Sequence, residues 1–352
     1  MKILHTADLH LGAPMRTHLP PREAKLRRDE LMSVFSRLLQ LARAEGCAAV
    51  IIAGDLFDNE AAASLLSSTV TNAIEEYGEI DFYYASGNHE GDGWIPSAPP
   101  KNLHIFGSTP SYFQKENVTF FGQSNEKKID YDNIYLQKER INIMILHGAM
   151  DTETKISDLC NRQIDYCALG HYHTYAEKRI DARGIAVYAG CPAGRGFDEL
   201  GEKGAVLIET GRDRLTHRFI PLSGRVLHRI EADISYARDL LHLFSICETA
   251  VSAAHAEDLV RLVLTGQRKS LPAPDTEAIR RHLGDRFYYL EVEDASTAAP
   301  DVTALARERT LCGEFVRTVL AESSLEDEEK MRILSLGLSA LGAEENGGAI
   351  WS

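Results

Sequence analysis

The sequence predicts an α/β fold: a layered domain first, then a smaller α/β region and terminal helices. Three observations carry this. Short, continuous apolar runs bounded by glycine recur up to about residue 209, as strands covered on both faces do. Segments with apolar residues at helical spacing separate the first of these runs. Beyond Pro221 the pattern changes to three further strand-like runs set among helical stretches.

Residues 2–7 read as a short buried strand. After a proline-containing loop, residues 23–45 carry Leu31, Val34, Phe35, Leu38, Leu39, Leu41 and Ala42 at helical spacing, and Gly46 ends that helix. "AAVIIAG" (48–54) is a central strand, followed by a helical segment at about 60–77 and the strand "DFYYASG" (81–87). "INIMILHG" (141–148), "YCALG" (166–170), "IAVYAG" (185–190) and "KGAVLIE" (203–209) behave the same way. "RVLHRIEADIS", "DLVRLVLTG" and "RFYYLEVED" then predict three strands, separated by helices at 236–255 and 275–284. Two more helices are expected at 301–322 and 326–341, with a loosely ordered tail, "EENGGAIWS". The domains expected are 1–222, an α/β cap at 223–295, and C-terminal helices with the tail at 296–352.

A chain of 352 residues has room for two or three domains and a large core. No apolar run approaches the ~18 residues needed to span a bilayer. The N-terminus places His5 and Asp8 where a signal peptide needs an apolar core, so a cytoplasmic location is expected. Six scattered cysteines without a CxxC pair suit reduced, mostly buried thiols rather than a disulfide or zinc framework.

The net charge of −14 argues against a dedicated nucleic-acid coat, because phosphate neutralisation supplies much of that affinity. It leaves room for an enzyme that meets phosphates through bound cations and a local basic patch. "RTHLPPREAKLRR" offers such a patch, with Arg16, His18, Arg22 and Lys25 as candidate nucleic-acid contacts. A solvated loop leading into a helix explains the same residues equally well.

The chemistry lies where the strands end. "KILHTADLH" delivers Asp8 and His10, "VIIAGDLFD" delivers Asp55 and Asp58, and "FYYASGNHE" delivers Asn88 and His89. "NIMILHG" delivers His147, and "YCALGHYH" delivers His171 and His173. Ligands of open α/β sheets gather at the carboxyl ends of strands, so these residues converge. Singly, each has a bland reading: Asp8 and Asp55 as turn or cap residues, Asn88 in a left-handed turn, His147 as a satisfied core histidine. Five such coincidences, each after an apolar strand, favour metal ligation.

Asp8, Asp55, Asn88, His10, His147, His171 and His173 exceed what one ion takes while keeping an open position. Two ions sharing a carboxylate and a water would use them all. Such a pair clamps a phosphate and lowers the pKa of the shared water, so that hydroxide attacks phosphorus in line. Mixed imidazole and carboxylate donors suit Mn²⁺, Fe or Zn²⁺ better than Mg²⁺ or Ca²⁺.

With those residues in place, the chain resembles the calcineurin-like metallophosphoesterases. Their pattern is D-x-H, G-D-x-x-D, G-N-H-[ED], a lone His and G-H-x-H. Here it stands as Asp8-Leu-His10, Gly54-Asp55-Leu-Phe-Asp58, Gly87-Asn88-His89-Glu90, His147 and Gly170-His171-Tyr-His173. The resemblance implies a two-sheet sandwich flanked by helices. It implies that Asp8, His10 and His173 hold one ion, that Asn88, His147 and His171 hold the other, and that Asp55 bridges them. His171 and His173 then serve different ions, which requires a turn after Gly170 and not a regular strand. His89 is implied to stabilise or protonate the leaving oxygen, oriented by Asp58.

"HTADLHLG", "GDLFD" and "VYAGCPAGRGFDELGEKGAVLIE" look like the SbcD-type DNA repair exonucleases, particularly their YhaO-like bacterial branch. The last segment matches the form Y-x-G-[SC]-P…F-x-E…K-G. "DLVRLVLTG" and "ILSLGLSAL" extend the likeness into the C-terminal part. The resemblance implies DNA as substrate, two metal ions with Mn²⁺ foremost, and an SbcC-like ABC ATPase as partner. A homodimer is the further partner considered. The chain departs from archaeal and eukaryotic nucleases of this group, which often carry His where Asp58 stands.

Three functions compete. The leading one is a two-metal phosphodiesterase acting on DNA. A phosphatase or small-molecule phosphodiesterase would use the same metals, and the charge favours it: residues 1–222 hold 24 Lys+Arg against 30 Asp+Glu, and the remainder 14 against 22. An ATPase-tethered scaffold is the third, docking through Leu305, Leu311, Phe315, Val316, Val319 and Leu320 unless that face packs on its own cap.

Overall fold

The computed structural model describes residues 1–15, 19, 21–90, 93–124, 134–150, 155–211, 214–222, 224–268 and 271–345. Arg16, His18 and the tail from residue 346 lie outside the described residues. The chain divides into two compact units, Met1–Arg229 with His255–Leu259, and Ile230–Ala254 with Val260–Ser352.

The first unit opens with β1 (Lys2–Thr6), α1 (Pro21–Ala44), β2 (Cys47–Ala53), α2 (Glu60–Glu76), β3 (Asp81–Ala85) and β4 (Leu103–Ile105). There follow β5 (Ser111–Lys115), β6 (Val118–Gly122), β7 (Ile141–His147), α3 (Ile156–Leu159) and β8 (Tyr166–Gly170). β9 (Ala176–Arg179), β10 (Ile185–Tyr188), β11 (Gly204–Thr210) and β12 (Leu215–Pro221) complete it. Two six-stranded sheets result, ordered β12-β11-β1-β2-β3-β4 and β5-β6-β7-β8-β10-β9. β1 to β4 run parallel, as do β6, β7, β8 and β10, while the antiparallel strands lie toward the edges.

The two-residue period of a strand explains the layers. Along β2, Ala49, Ile51 and Ala53 face the second sheet, where they meet Ile143, Ile145 and Ala168. Val50 and Ile52 face the other way, against Phe35, Leu38 and Leu39 of α1 and Ile74 of α2. Between the sheets, Tyr83 stacks on Phe120 with ring centroids 3.8 Å apart. The outer face of the second sheet buries Met144, Leu146, Cys167 and Leu169 against Leu159 and Ile164. Both faces of the central strands are covered, so their sequences are largely apolar. This is the two-sheet sandwich flanked by helices that the sequence implied.

Some elements differ from expectation. β5 alternates half-buried and exposed residues and β9 is exposed throughout, so neither carries an apolar run to announce it. The helix expected at 236–255 is Leu240–Ala250, started by Asp239, whose carboxylate accepts the His242 N–H. The helix expected at 301–322 is two, Val302–Leu305 and Leu311–Ala321, because Asp301 and Thr310 each cap a separate start.

A three-stranded sheet of Leu227–Asp233, Leu259–Thr265 and Tyr289–Asp294 has most of its residues in the second unit. Its core packs Ile234, Leu262 and Leu264 against Leu243, Cys247, Ile279 and Leu283 from the helices Leu240–Ala250 and Thr276–Leu283. A separate cluster joins Val316 and Val319 to Leu334 of the helix Asp327–Glu345, while Leu311 and Leu320 stay exposed. Among the described residues, no helix is long and apolar enough to cross a membrane.

Candidate metal centre

Four of the expected ligands sit in the left-handed backbone region: Asp8 (φ 52°), His10 (45°), Asp55 (49°) and His171 (104°). Each such residue costs on the order of 1–3 kcal/mol, and such costs gather at functional sites. The turns that follow β1 and β2 hold one another. The Asp8 N–H donates to the Gly54 carbonyl (3.1 Å), that of His10 to Asp55 (2.9 Å) and that of Asp58 to Leu11 (3.1 Å). β8 stops at Gly170 and the chain turns at His171, so the two histidines of "GHYH" do not share a strand face.

The structure brings the strand ends together. His10 and His173 face each other through their Nε2 atoms at 3.2 Å. Asp8, His10 and His173 each offer an atom within 4.8 Å of the others, as do Asp8, Asp55 and His147. One oxygen of Asp55, Oδ2, lies 3.7 Å from His10 Nε2 and 3.4 Å from His147 Nε2. Asn88 Oδ1 is 2.9 Å from the same His147 nitrogen. The His171 ring stands edge-on to His147, with centroids 5.5 Å apart. His89 donates its main-chain N–H to Asp55 Oδ1 (3.1 Å) and sets its Nδ1 2.9 Å from the main-chain oxygen of Asp58. The Asp58 carboxylate turns elsewhere, to His10 Nδ1 (3.5 Å) and Arg195 Nη1 (3.4 Å).

The donor set fits divalent cations. Two nitrogens bound to one tetrahedral ion at ~2.0–2.1 Å stand roughly 3.3 Å apart, close to the spacing of His10 and His173. Asp8, His10 and Asp55 are all buried, and burial raises the pKa of Asp8 and lowers that of His10. Burial alone would also raise Asp55 and lower His147, but their mutual pairing reverses both, so Asp55 falls and His147 rises. A metal ion bound here would compete with a proton for the His147 nitrogen.

Four supporting residues carried no role in the sequence reading. Glu90, buried, accepts the N–H groups of Phe57 and Gly87 (both 2.9 Å) and so ties the β2 turn to the β3 turn. Glu199 Oε1 is 2.7 Å from His173 Nδ1, Arg195 bonds Glu199, and the buried Lys203 donates to the His173 carbonyl (2.7 Å). Glu199 and Lys203 are the acid and lysine of the F-x-E…K-G pattern, the one signal that could have found them. Of the basic run, Arg22 and Lys25 are exposed on the first turns of α1. Arg27 instead turns inward and donates to the Gly194 carbonyl (2.6 Å).

Residues 1–175 match the family described as calcineurin-like phosphoesterase. The uncharacterized metallophosphoesterase YhaO of Bacillus subtilis is 27% identical over 296 residues, covering 76% of this chain and 72% of its own length. The DNA double-strand break repair protein Mre11 of Sulfurisphaera tokodaii is 26% identical over 267 residues, 68% of this chain and 67% of that protein. A subunit of the nuclease SbcCD of Bacillus subtilis is 30% identical over 114 residues, 30% of this chain and 27% of its own.

Proposed function

Residues 1–175 form a calcineurin-like metallophosphoesterase domain, a two-metal phosphoester hydrolase, and from that premise we propose a nuclease that cleaves DNA phosphodiesters in DNA repair. The observation that carries the reading is the position of Asp55 Oδ2, between His10 on one side and His147 on the other. Asp8, His10 and His173 would hold one ion, Asn88, His147 and His171 the other, with Asp55 shared. Mn²⁺ is the ion we propose, on the mixed nitrogen and oxygen donors. The ions supply Lewis acidity at the phosphate and an activated water.

The chain's own residues do the rest. His89 keeps the proton of Nδ1 on the Asp58 carbonyl, leaving Nε2 free to exchange a proton with a leaving oxygen. Asp55 Oδ1 receives the His89 N–H, which fixes that ring relative to the centre. Glu90 holds the two turns that carry Asp55 and His89 in register.

DNA as substrate draws support from the relatives named for double-strand break repair and nuclease activity, and from the 185–209 segment contributing Glu199 and Lys203 to the centre. An SbcC-like ATPase is the partner that goes with this reading, since one relative is named as part of a multi-subunit nuclease. Six unpaired cysteines support a cytoplasmic setting. Labelled single- and double-stranded DNA incubated with Mn²⁺-loaded protein tests the reading. Cleavage that is lost with a chelator and in Asp55→Ala is expected, and inert protein, with or without the ATPase, contradicts it. The acidic charge favours a second reading, a small-molecule phosphodiesterase. Hydrolysis of bis-p-nitrophenyl phosphate but not of DNA would select it.

A further inference from the structure

His173 is held from behind by Glu199, and the Asp58 carboxylate stands behind His10. Each histidine turns Nε2 inward, toward the other at 3.2 Å, and Nδ1 outward, toward a carboxylate. His173 Nδ1 meets Glu199 Oε1 at 2.7 Å, and His10 Nδ1 meets Asp58 Oδ1 at 3.5 Å. Arg195 joins the two carboxylates. Its Nε and Nη2 donate to Glu199 Oε1 (3.0 and 2.6 Å), its Nη1 donates to Asp58 Oδ1 (3.4 Å), and its main-chain N–H donates to Glu199 Oε2 (2.7 Å). The path His173–Glu199–Arg195–Asp58–His10 therefore closes on itself through the two facing Nε2 atoms.

We propose that Arg195, Glu199 and the Asp58 carboxylate form a clasp that presets His10 and His173 as an Nε2-donor pair for one of the two ions. Arg195 and Glu199 are positioning residues, acting through His173 and Asp58. This rests on the two-ion reading above.

The chemistry follows from what each group can offer. A neutral imidazole carries one N–H, and an ionised carboxylate only accepts. With Glu199 at 2.7 Å, the His173 proton belongs on Nδ1, which leaves the Nε2 lone pair for a cation. Arg195 Nη2 also approaches His173 Nδ1, at 3.2 Å. If Nδ1 accepted from Arg195, its lone pair would point at a carboxylate oxygen half an ångström nearer. The Glu199 contact therefore decides the tautomer. Asp58 and Glu199 would repel each other in this largely buried setting, and the guanidinium between them removes that repulsion. A planar fork reaches both carboxylates at once, which the single ammonium of lysine does not. Arg195 and Glu199 lie beyond residues 1–175, so two of the three clasp residues come from the following segment.

The test is calorimetric titration of metal-free full-length protein with Mn²⁺, alongside thermal unfolding in chelator. Wild type is expected to bind two ions. Glu199→Ala and Arg195→Ala are expected to weaken one site about 10–100-fold and leave the other unchanged. Their metal-free melting points should fall, because each variant leaves a buried charge without its partner. Glu199→Gln, which keeps an acceptor oxygen, and Arg195→Lys should recover part of the loss. Asn88→Ala should weaken the other site. Unchanged affinity at both sites in Glu199→Ala and Arg195→Ala overturns the clasp. Equal loss at both sites also overturns it, because the segment would then be acting only as packing. Wild-type protein that binds fewer than two ions defeats the two-ion reading itself.

Discussion

The main-chain N–H of His171 donates to both carboxylate oxygens of Asp8, at 2.9 and 3.1 Å. The contact joins the first strand end of the chain to the last one in the centre, and it depends on the turn taken at His171, directly after Gly170. A Cβ on Gly170 would lie 2.0 Å from the Ala53 carbonyl oxygen and 2.9 Å from His147 Nδ1. Gly170→Ala must therefore move backbone or the His147 ring. The expected outcome is a loss of about 1–3 kcal/mol by urea unfolding, together with weaker Mn²⁺ binding by titration. Wild-type values for both would contradict this placement of the turn.

His89 touches the centre through its main-chain N–H and through Asp58, with its ring set beside His10. In His89→Ala, both ions should stay while turnover falls roughly 10²–10⁴-fold. Elemental analysis beside a rate assay on bis-p-nitrophenyl phosphate decides the matter. Loss of metal in this variant would make His89 a ligand.

Phe120 is fully buried between the sheets and stacks on Tyr83. Phe120→Ala removes a ring from a site that two sheets keep from collapsing. A loss of about 3–5 kcal/mol in the urea-derived unfolding free energy is expected. A loss below about 1 kcal/mol would mean that the sheets do not pack through this pair.

His5 is buried, with Nδ1 2.9 Å from the Tyr166 hydroxyl, and burial lowers its pKa from the ordinary 6.5 to about 3. Between those values the unfolded chain binds a proton that the folded chain refuses. Stability therefore rises with pH across this window and is eroded as pH falls from about 6.5 toward 3. Unfolding free energies taken from about pH 7 down to about pH 4 should fall less steeply in His5→Gln than in wild type. Parallel slopes would remove His5 from the acid response.

The sequence was legible where chemistry followed an apolar strand. β1, β2, β3, β7 and β8 are buried runs that each stop at Asp, Asn or His, so the fold and the candidate ligands could be read together. It was least legible where a residue's partner lies far along the chain. Arg195 meets Asp58 across 137 positions, and nothing local to either marks the encounter. Asp58, expected to orient His89, meets its ring through the main-chain oxygen, while the carboxylate is drawn to Arg195 and His10. Edge strands such as Ala176–Arg179 escaped notice because an exposed strand needs no apolar face. The positive backbone angles at Asp8, His10 and Asp55 left no glycine in the sequence to signal them.

Metal content of wild type and Asp55→Ala, measured by elemental analysis after loading with Mn²⁺ and exhaustive dialysis, tests the shared-ligand centre most directly. Asp55 Oδ2 lies between His10 and His147, so on the proposed two-ion reading its removal takes a ligand from both ions. The expected result is two ions per chain in wild type and fewer than one in Asp55→Ala. A variant that keeps both ions, or a wild type that holds none, would contradict it.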